Sequence, residues 1–166
     1  QGILFKNAES LEHAQKIDTI VLDKTGTLTR GEPKVTDIIA RGMSEQELLS
    51  LAGSAEKGSE HPLGEAIVRG AIEGGVSPEQ ADEFEALPGH GIRARVKGKE
   101  VVLGNEKLMS DRKIDFTSLS LDAERFSLSG KTPMFVAVDG NAAGIIAVAD
   151  TPREHSKEAV AGLRAL

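Results

Sequence analysis

Two periodicities alternate along this chain, and they predict most of its elements. Ile17-Asp18-Thr19-Ile20-Val21-Leu22 is an apolar, β-branched run of the kind that forms a strand buried on both faces of a parallel sheet. Val35 to Ala40 is a second β-prone run, after a turn predicted at Arg30-Gly31-Glu32-Pro33. From Ser44 the spacing becomes helical. Ser44 and Glu47 make a capping box, and Leu48, Leu49, Leu51 and Ala52 give an apolar stripe. A second helix is predicted from Pro62, with Leu63, Ala66, Ile67 and Ala71 on one face and Gly74-Gly75 ending it. The period then changes to two. Phe84 to Leu87, Ile92 to Val96 and Val101 to Leu103 read as strands, the last two joined by a tight turn at Lys97-Gly98-Lys99. A helix is expected within Ser118 to Leu128, then a hairpin of Met134 to Val138 and Ala143 to Ala149 across Asp139-Gly140-Asn141, then a helix over Arg153 to Leu166.

Helices followed by hairpins predict an α+β module, an antiparallel sheet flanked by helices, inserted into a partial α/β domain. The insert is expected over residues 33–141, with residues 1–32 and 142–166 belonging to the flanking domain.

Composition narrows the function classes. A formal charge of −6 with acids and bases interspersed argues against nucleic acid or an anionic membrane as the main partner. Five phenylalanines, with no tyrosine or tryptophan, leave few stacking platforms for bases. The absence of cysteine removes disulfides and thiolate metal sites, and no two of the four histidines have metal-like spacing. No apolar run approaches the ~20 residues of a membrane span, so direct membrane insertion is not expected.

The most informative chemistry lies in Asp23-Lys24-Thr25-Gly26-Thr27-Leu28-Thr29. On the predicted topology Asp23 ends the first strand, where open α/β sheets place their ligands. The glycine lets backbone N–H groups curl around an anion, and the hydroxyls add donors. A carboxylate beside such a phosphate cradle can act as a nucleophile, attacking a γ-phosphoryl group to give an aspartyl phosphate. An Asx-type turn after a strand is the plainer reading of Asp23.

The string resembles the phosphorylation motif of P-type ATPases, members of the haloacid dehalogenase superfamily. Phosphatases of that superfamily usually carry a second aspartate two positions on as general acid and base; here that position is Thr25. A threonine cannot serve as that base, so the acyl phosphate would persist. The resemblance implies that Asp23 is phosphorylated, that Lys24 and Thr25 support the transfer, and that Asp23 and the Thr25 backbone contribute to Mg²⁺ binding in a complete protein.

Four constellations sit in the insert. In Ser59-Glu60-His61-Pro62-Leu63, Pro62 at the first helical position puts His61 at a helix N-terminus, where the macrodipole favours a neutral imidazole. Such a ring can donate and accept, which suits an adenine or its phosphates; by chemistry alone a capping role is favoured. Gly89-His90-Gly91-Ile92 could bring backbone close to a flat ring, and Gly104-Asn105 ends a strand, though simple turns explain both. Ser-Glu-His-Pro-Leu resembles the nucleotide-domain signature of the heavy-metal class of P-type ATPases. That resemblance implies that His61 orients ATP and that Glu56 accepts a hydrogen bond from the adenine amino group. It also implies that Gly89, Gly91, Ile92, Gly104 and Asn105 shape the ATP site, with His90 given no ligand role. Asp150-Thr151-Pro152-Arg153 resembles the re-entry into the phosphorylation domain, with Asp150 again at a strand terminus; a capped helix start with Pro152 near its first position is the plainer reading, and both can hold.

The family's Thr-Gly-Asp-Asn loop, its following lysine and its Gly-Asp-Gly-x-Asn-Asp loop, which place Mg²⁺, are not in this sequence. The expectation is therefore an ATP-binding and phosphorylation-site fragment on the cytoplasmic side of a heavy-metal transporter, copper first. Its partners would be ATP and the remaining transmembrane, actuator and phosphorylation parts, and turnover by the fragment alone is not expected. A free-standing phosphatase with a cap insert and a non-catalytic nucleotide-binding module are the alternatives.

Overall fold

A computed structural model of the chain describes residues 4, 7–14 and 16–165. Six strands form one antiparallel sheet: β1 (Thr29–Ala40), β2 (Glu83–Leu87), β3 (Gly91–Val96), β4 (Lys99–Gly104), β5 (Thr132–Val138) and β6 (Asn141–Pro152), in the order β1-β6-β5-β4-β3-β2. The helices are α1 (Ala8–Ala14), α2 (Glu45–Glu56), α3 (Pro62–Glu73), α4 (Glu106–Asp111), α5 (Ser120–Leu128) and α6 (Ser156–Ala165). None of them is long and apolar enough to cross a membrane.

Both faces of the sheet centre are covered, which is why β4, β5 and β6 read as continuous apolar runs despite being antiparallel. One face gathers Val101, Leu103, Val136, Val138, Ile146 and Val148 with Leu48, Ala52, Ala66 and Ile67 of α2 and α3. The other gathers Val102, Phe135, Ala137, Ile145 and Ala147 with Leu108, Met109, Ala123 and Phe126 of α4 and α5. Alternate residues of one strand thus serve two cores, as the pleat dictates. Toward the β2 edge the second face is open to solvent and carries ion pairs instead, with Arg93 bonded to Glu85 (2.9 Å) and Glu100 (3.3 Å). The tight turns have the left-handed conformations that two-residue hairpins need: Lys97 and Gly98 at φ 53° and 77°, Asp139 and Gly140 at φ 48° and 79°.

Three expectations fail. Residues 17–23 form no strand, and Ile17 and Val21 are 58% and 92% exposed. A strand obtains its ladder bonds only from a neighbour, and among the described residues no strand lies beside this run. Asp23 therefore does not end a strand. Arg30-Gly31-Glu32-Pro33 is not a turn out of the sheet but an irregularity inside β1, where the register with β6 shifts between Thr29 and Pro33 and Gly31 takes φ 77°. Pro152 closes β6 rather than opening a helix, and α6 starts at Ser156. Residue 166 of the predicted last helix lies outside the described residues, as do residues 1–3, 5, 6 and 15 of the first segment. The helices α1 and α4 were not foreseen.

Candidate functional site

The short connection between α2 and α3 brings Glu56, Ser59 and His61 to the rim of a cavity of about 350 Å³. The opposite walls are Ala86 to Ile92, Asn105, and Thr132 to Met134 at the start of β5. Helix geometry explains the first wall. Ser44 caps α2 by accepting from the Glu47 N–H (3.1 Å), and the helix ends at Glu56 itself. Five residues on, His61 is the N-cap of α3 and Pro62 its first residue. The His61 Nδ1 accepts from the Leu63 N–H at 3.2 Å, leaving Nε2 as the ring nitrogen free to donate to a ligand. Capping and ligand orientation are thus compatible in one exposed side chain.

Glu56 is the unusual group. It is 3% exposed, and its Oε2 is buried without a hydrogen-bond partner. Burial pushes its carboxyl pKa up, with a hydrogen bond to the Ser59 side chain pulling in the opposite direction. Buried acceptors in folded proteins are nearly always satisfied, so an unpartnered one on a residue that lines a cavity is suited to a donor arriving with a ligand. Leu63, Leu87, Ile92, Pro133 and Met134 give the cavity apolar wall, which suits the faces of a flat heterocycle.

The glycine loop forms the floor through its backbone. Gly91 opens β3 opposite Gly104, with φ 144°, and a Cβ at Gly91 would drive into the Leu103 carbonyl oxygen and lie 2.6 Å from the Gly104 Cα. A Cβ at Gly104 would collide with the His90 carbonyl oxygen in return. Both positions exclude side chains because two backbones pass in contact. Asn105 locks the arrangement: its N–H donates to the His90 carbonyl (2.9 Å), its Nδ2 donates to the Gly89 carbonyl (3.0 Å), and its Oδ1 accepts from the Leu108 N–H (3.0 Å) to cap α4. Its amide is already engaged within the protein. Glu56, His61, Gly89, Gly91, Ile92 and Asn105 thus meet at one cavity, and Gly104 sits directly behind Gly91.

Asp23, Lys24 and Thr25 lie elsewhere, exposed and outside that cavity. Lys24–Leu28 winds as a wide turn with Gly26 at φ 78°. The foot of β1 and β6 clamps it. The Asp150 carboxylate accepts from the backbone N–H groups of Gly31 (3.0 Å) and Glu32 (3.2 Å) and from the Thr29 hydroxyl. The Thr29 oxygen also accepts from the Gly26 N–H (3.2 Å). Arg153 donates from Nη2 to the Gly26 carbonyl (3.0 Å) and from Nε to the Thr29 carbonyl (3.1 Å), and the Ser156 hydroxyl donates to the Leu28 carbonyl (2.7 Å).

The family model of haloacid dehalogenase-like hydrolases matches residues 17–166. The chain belongs to that family. Among curated relatives, it is 48% identical to a copper-exporting P-type ATPase of Bacillus subtilis (strain 168), over 99% of this chain and 21% of the relative. It is 49% identical to a copper-transporting P-type ATPase of Rhizobium leguminosarum bv. viciae, over 98% of this chain and 20% of the relative. The chain thus spans about a fifth of the length of these relatives. Among solved structures it resembles a zinc-transporting PIB-type ATPase in the E2.Pi state (TM-score 0.75, 37% identity, 86% of this chain and 23% of that one). It also resembles the N-domain of a copper-transporting P-type ATPase (TM-score 0.60, 29% identity, 70% of this chain and 99% of that one).

Within this dehalogenase-like chain, Asp23 and the Thr25 carbonyl would supply two oxygens to Mg²⁺, which demands an octahedron. Among the described residues no group of three or more His, Cys, Asp or Glu could hold a metal, so the residues present do not complete the site. Sequence reasoning assigned no role to Ser59, Arg153 or Ser156. Ser59 stood inside the recognised motif, whereas the other two make contacts between residues 124 to 128 positions apart that no local pattern signals. For Asp150, replacement by alanine is expected to cost about 1–2 kcal/mol, from losing charge-assisted bonds to Gly31 and Glu32. Amide hydrogen exchange should show those two N–H groups losing protection before the centre of the sheet does.

Proposed function

We propose that the chain is the ATP-binding and phosphorylation-site part of a P-type ATPase that moves a heavy-metal cation, copper in the first instance, across a membrane. The observation that carries the reading is the meeting of Glu56, His61 and the Gly89–Gly91 loop around one cavity with a buried, unpartnered carboxylate oxygen. In this reading the purine enters between the apolar walls. Glu56 Oε2 accepts from its exocyclic amino group, the His61 Nε2–H donates toward the nucleotide, and Gly91 and Gly104 let backbone pass close to the ring. Adenine is preferred over guanine because guanine presents an oxygen where Glu56 requires a donor. The division at 1–32, 33–141 and 142–166 assigns the cavity to the inserted module and Asp23 to the flanking one. The foot of β1 and β6, clamped by Asp150, joins them.

Asp23 is the proposed acceptor of the γ-phosphoryl group, with Lys24 and Thr25 beside it. The Asp23 carboxylate attacks the γ-phosphorus, the bond to the β–γ bridging oxygen breaks, and ADP leaves. Thr25 offers no base for hydrolysing the acyl phosphate, which favours this reading over a free-standing phosphatase. The proposed setting is the cytoplasmic side of the membrane, with the transmembrane and actuator parts and the rest of the phosphorylation part as partners. Because Asp23 and Thr25 do not complete a Mg²⁺ site, this chain alone is expected to bind ATP without useful turnover. The copper assignment follows the copper-exporting and copper-transporting relatives, with zinc next.

Calorimetric titration with ATP, ADP and GTP tests the reading. Saturable, adenine-selective binding is expected, and His61→Gln should weaken ATP by about tenfold, the worth of one hydrogen bond to a charged or strongly polar group. A folded chain that binds none of the three nucleotides would refute it.

A further inference from the structure

His90 stands between the two glycines of the cavity floor, and the fold fixes its ring. Leu87-Pro88-Gly89-His90 is a tight turn with proline second and glycine third, Gly89 at φ 73°, the residue order that a type II turn favours. The His90 N–H closes it by donating to the Leu87 carbonyl (2.9 Å), and the His90 carbonyl accepts from the Asn105 N–H (2.9 Å). The ring is tied back as well, with Nδ1 2.8 Å from the Pro88 carbonyl oxygen. A carbonyl can only accept, so Nδ1 carries the proton and Nε2 of the neutral ring keeps its lone pair. Among the described residues nothing is hydrogen bonded to that Nε2. His61 is the converse: its Nδ1 accepts from the Leu63 N–H (3.2 Å), so its Nε2 bears the proton. Both histidines line one cavity, and the backbone sets them as opposite tautomers.

We propose that His90 Nε2 accepts a hydrogen bond from a ribose hydroxyl of the bound nucleotide, so that the cavity selects ribonucleotides over deoxyribonucleotides. The proposal rests on the ATP-binding reading and gives that site a sugar subsite. An adenine nucleotide carries donors in two places only, the exocyclic amino group and the ribose hydroxyls, whereas its ionised phosphates accept. Glu56 Oε2 takes the amino group in this reading. A lone-pair nitrogen repels a phosphate oxygen, which leaves the sugar hydroxyls for His90. Asn105 is the poorer acceptor, because its Oδ1 is already held by the Leu108 N–H (3.0 Å). The hydroxyls of Ser59 and Thr132 belong to residues that also line the cavity and are the competing acceptors. Each of those hydroxyls rotates to suit its surroundings, whereas the His90 ring is fixed before a nucleotide arrives. A site built to bond a hydroxyl discriminates against the analogue that lacks it, since the acceptor is then left unpaired.

Ring-nitrogen NMR of the free chain reads the tautomers. At about pH 8.5, above the range in which histidine ordinarily titrates, His90 should show a protonated Nδ1 and a bare Nε2, and His61 the reverse. Calorimetric titration with ATP, 2′-deoxy-ATP and 3′-deoxy-ATP reads the contact. ATP should bind about fivefold more tightly than at least one of the deoxy forms, the worth of one neutral hydrogen bond. His90→Leu should weaken ATP to the level of that deoxy form, while His90→Gln, which keeps an acceptor, should retain part of the discrimination. The backbone bonds of His90 survive either substitution, so both variants should fold, and a thermal melt checks that they do. The tautomers and the three affinities of the parent need no variant at all. A proton on His90 Nε2, or equal affinity of the parent for ATP and both deoxy forms, overturns the proposal. Discrimination that persists in His90→Leu also overturns it and moves the acceptor to Thr132 or Ser59. A parent that binds none of the three nucleotides refutes the ATP-binding reading itself, and the sugar contact with it.

Discussion

Replacing Glu56 by glutamine is expected to make the free chain more stable and a poorer ATP binder at once. The carboxylate is almost fully buried, with one oxygen unpartnered, and burial raises its pKa. Near pH 7 an ionised Glu56 therefore opposes folding. Its favourable contribution is present below the unfolded-state pKa and is lost as pH rises through the raised folded-state value. Glutamine removes the desolvated charge and should stabilise the chain by about 1–2 kcal/mol at pH 7, a rise in thermal midpoint of several degrees. Melts over a descending pH series would show the gain shrinking as the parent carboxyl takes up its proton. The same change replaces an anionic acceptor with a weaker, partly donor-bearing amide, so ATP should bind roughly tenfold less tightly and discrimination against GTP should relax. A destabilised variant with full ATP affinity would contradict both halves. Opposite signs for stability and binding mark a group retained for a ligand rather than for the fold.

The largest loss is expected from Gly91→Ala. At φ 144° an L-residue is strained, and the new Cβ would strike the Leu103 carbonyl oxygen and the Gly104 backbone, neither of which can rotate away as a side chain would. The cost is expected to be about 3 kcal/mol or more, a drop of roughly 10 °C in the thermal midpoint of a domain this size. ATP binding should disappear even at temperatures where the variant is folded, because separating β3 from β4 there lifts the cavity floor. Gly89→Ala is the control. Gly89 also has positive φ, at 73°, but open space surrounds its Cβ position, so the cost should be only about 1 kcal/mol. Circular dichroism melts and calorimetry on the pair decide the matter. Equal effects of the two substitutions would show that backbone conformation, and not the close passage of β3 and β4, governs the loop.

Legibility in the sequence followed the range of the interaction. The strands β2 to β6, the α2–α3 pair and both two-residue turns could be read because alternation, helical spacing and capping are local and their burial is large. The cavity residues could be gathered only by resemblance. Glu56 alone reads as a solvated glutamate at a helix end, and Gly89-His90-Gly91 alone as a turn. The foot of β1 and β6 was misread in instructive ways. Gly31 and Pro33 are turn residues by composition, yet they lie inside a strand because Asp150, 119 residues away, supplies acceptors for the N–H groups that the irregular ladder leaves free. The apolar run from Ile17 to Leu22 has the composition of a buried strand, but a strand exists only with a neighbour.

What the sequence by itself determined is therefore the list of elements with strong local signals and, through Asp23 to Thr29 and Ser59 to Leu63, the chemical class of the protein. The tertiary structure alone decided that Glu56 is buried with an unpartnered oxygen, and that Gly91 and Gly104 exclude side chains on each other's account. Propensity and periodicity are set by neighbours along the chain, whereas desolvation and steric exclusion are set by neighbours in space, and those are known only once the sheet has closed.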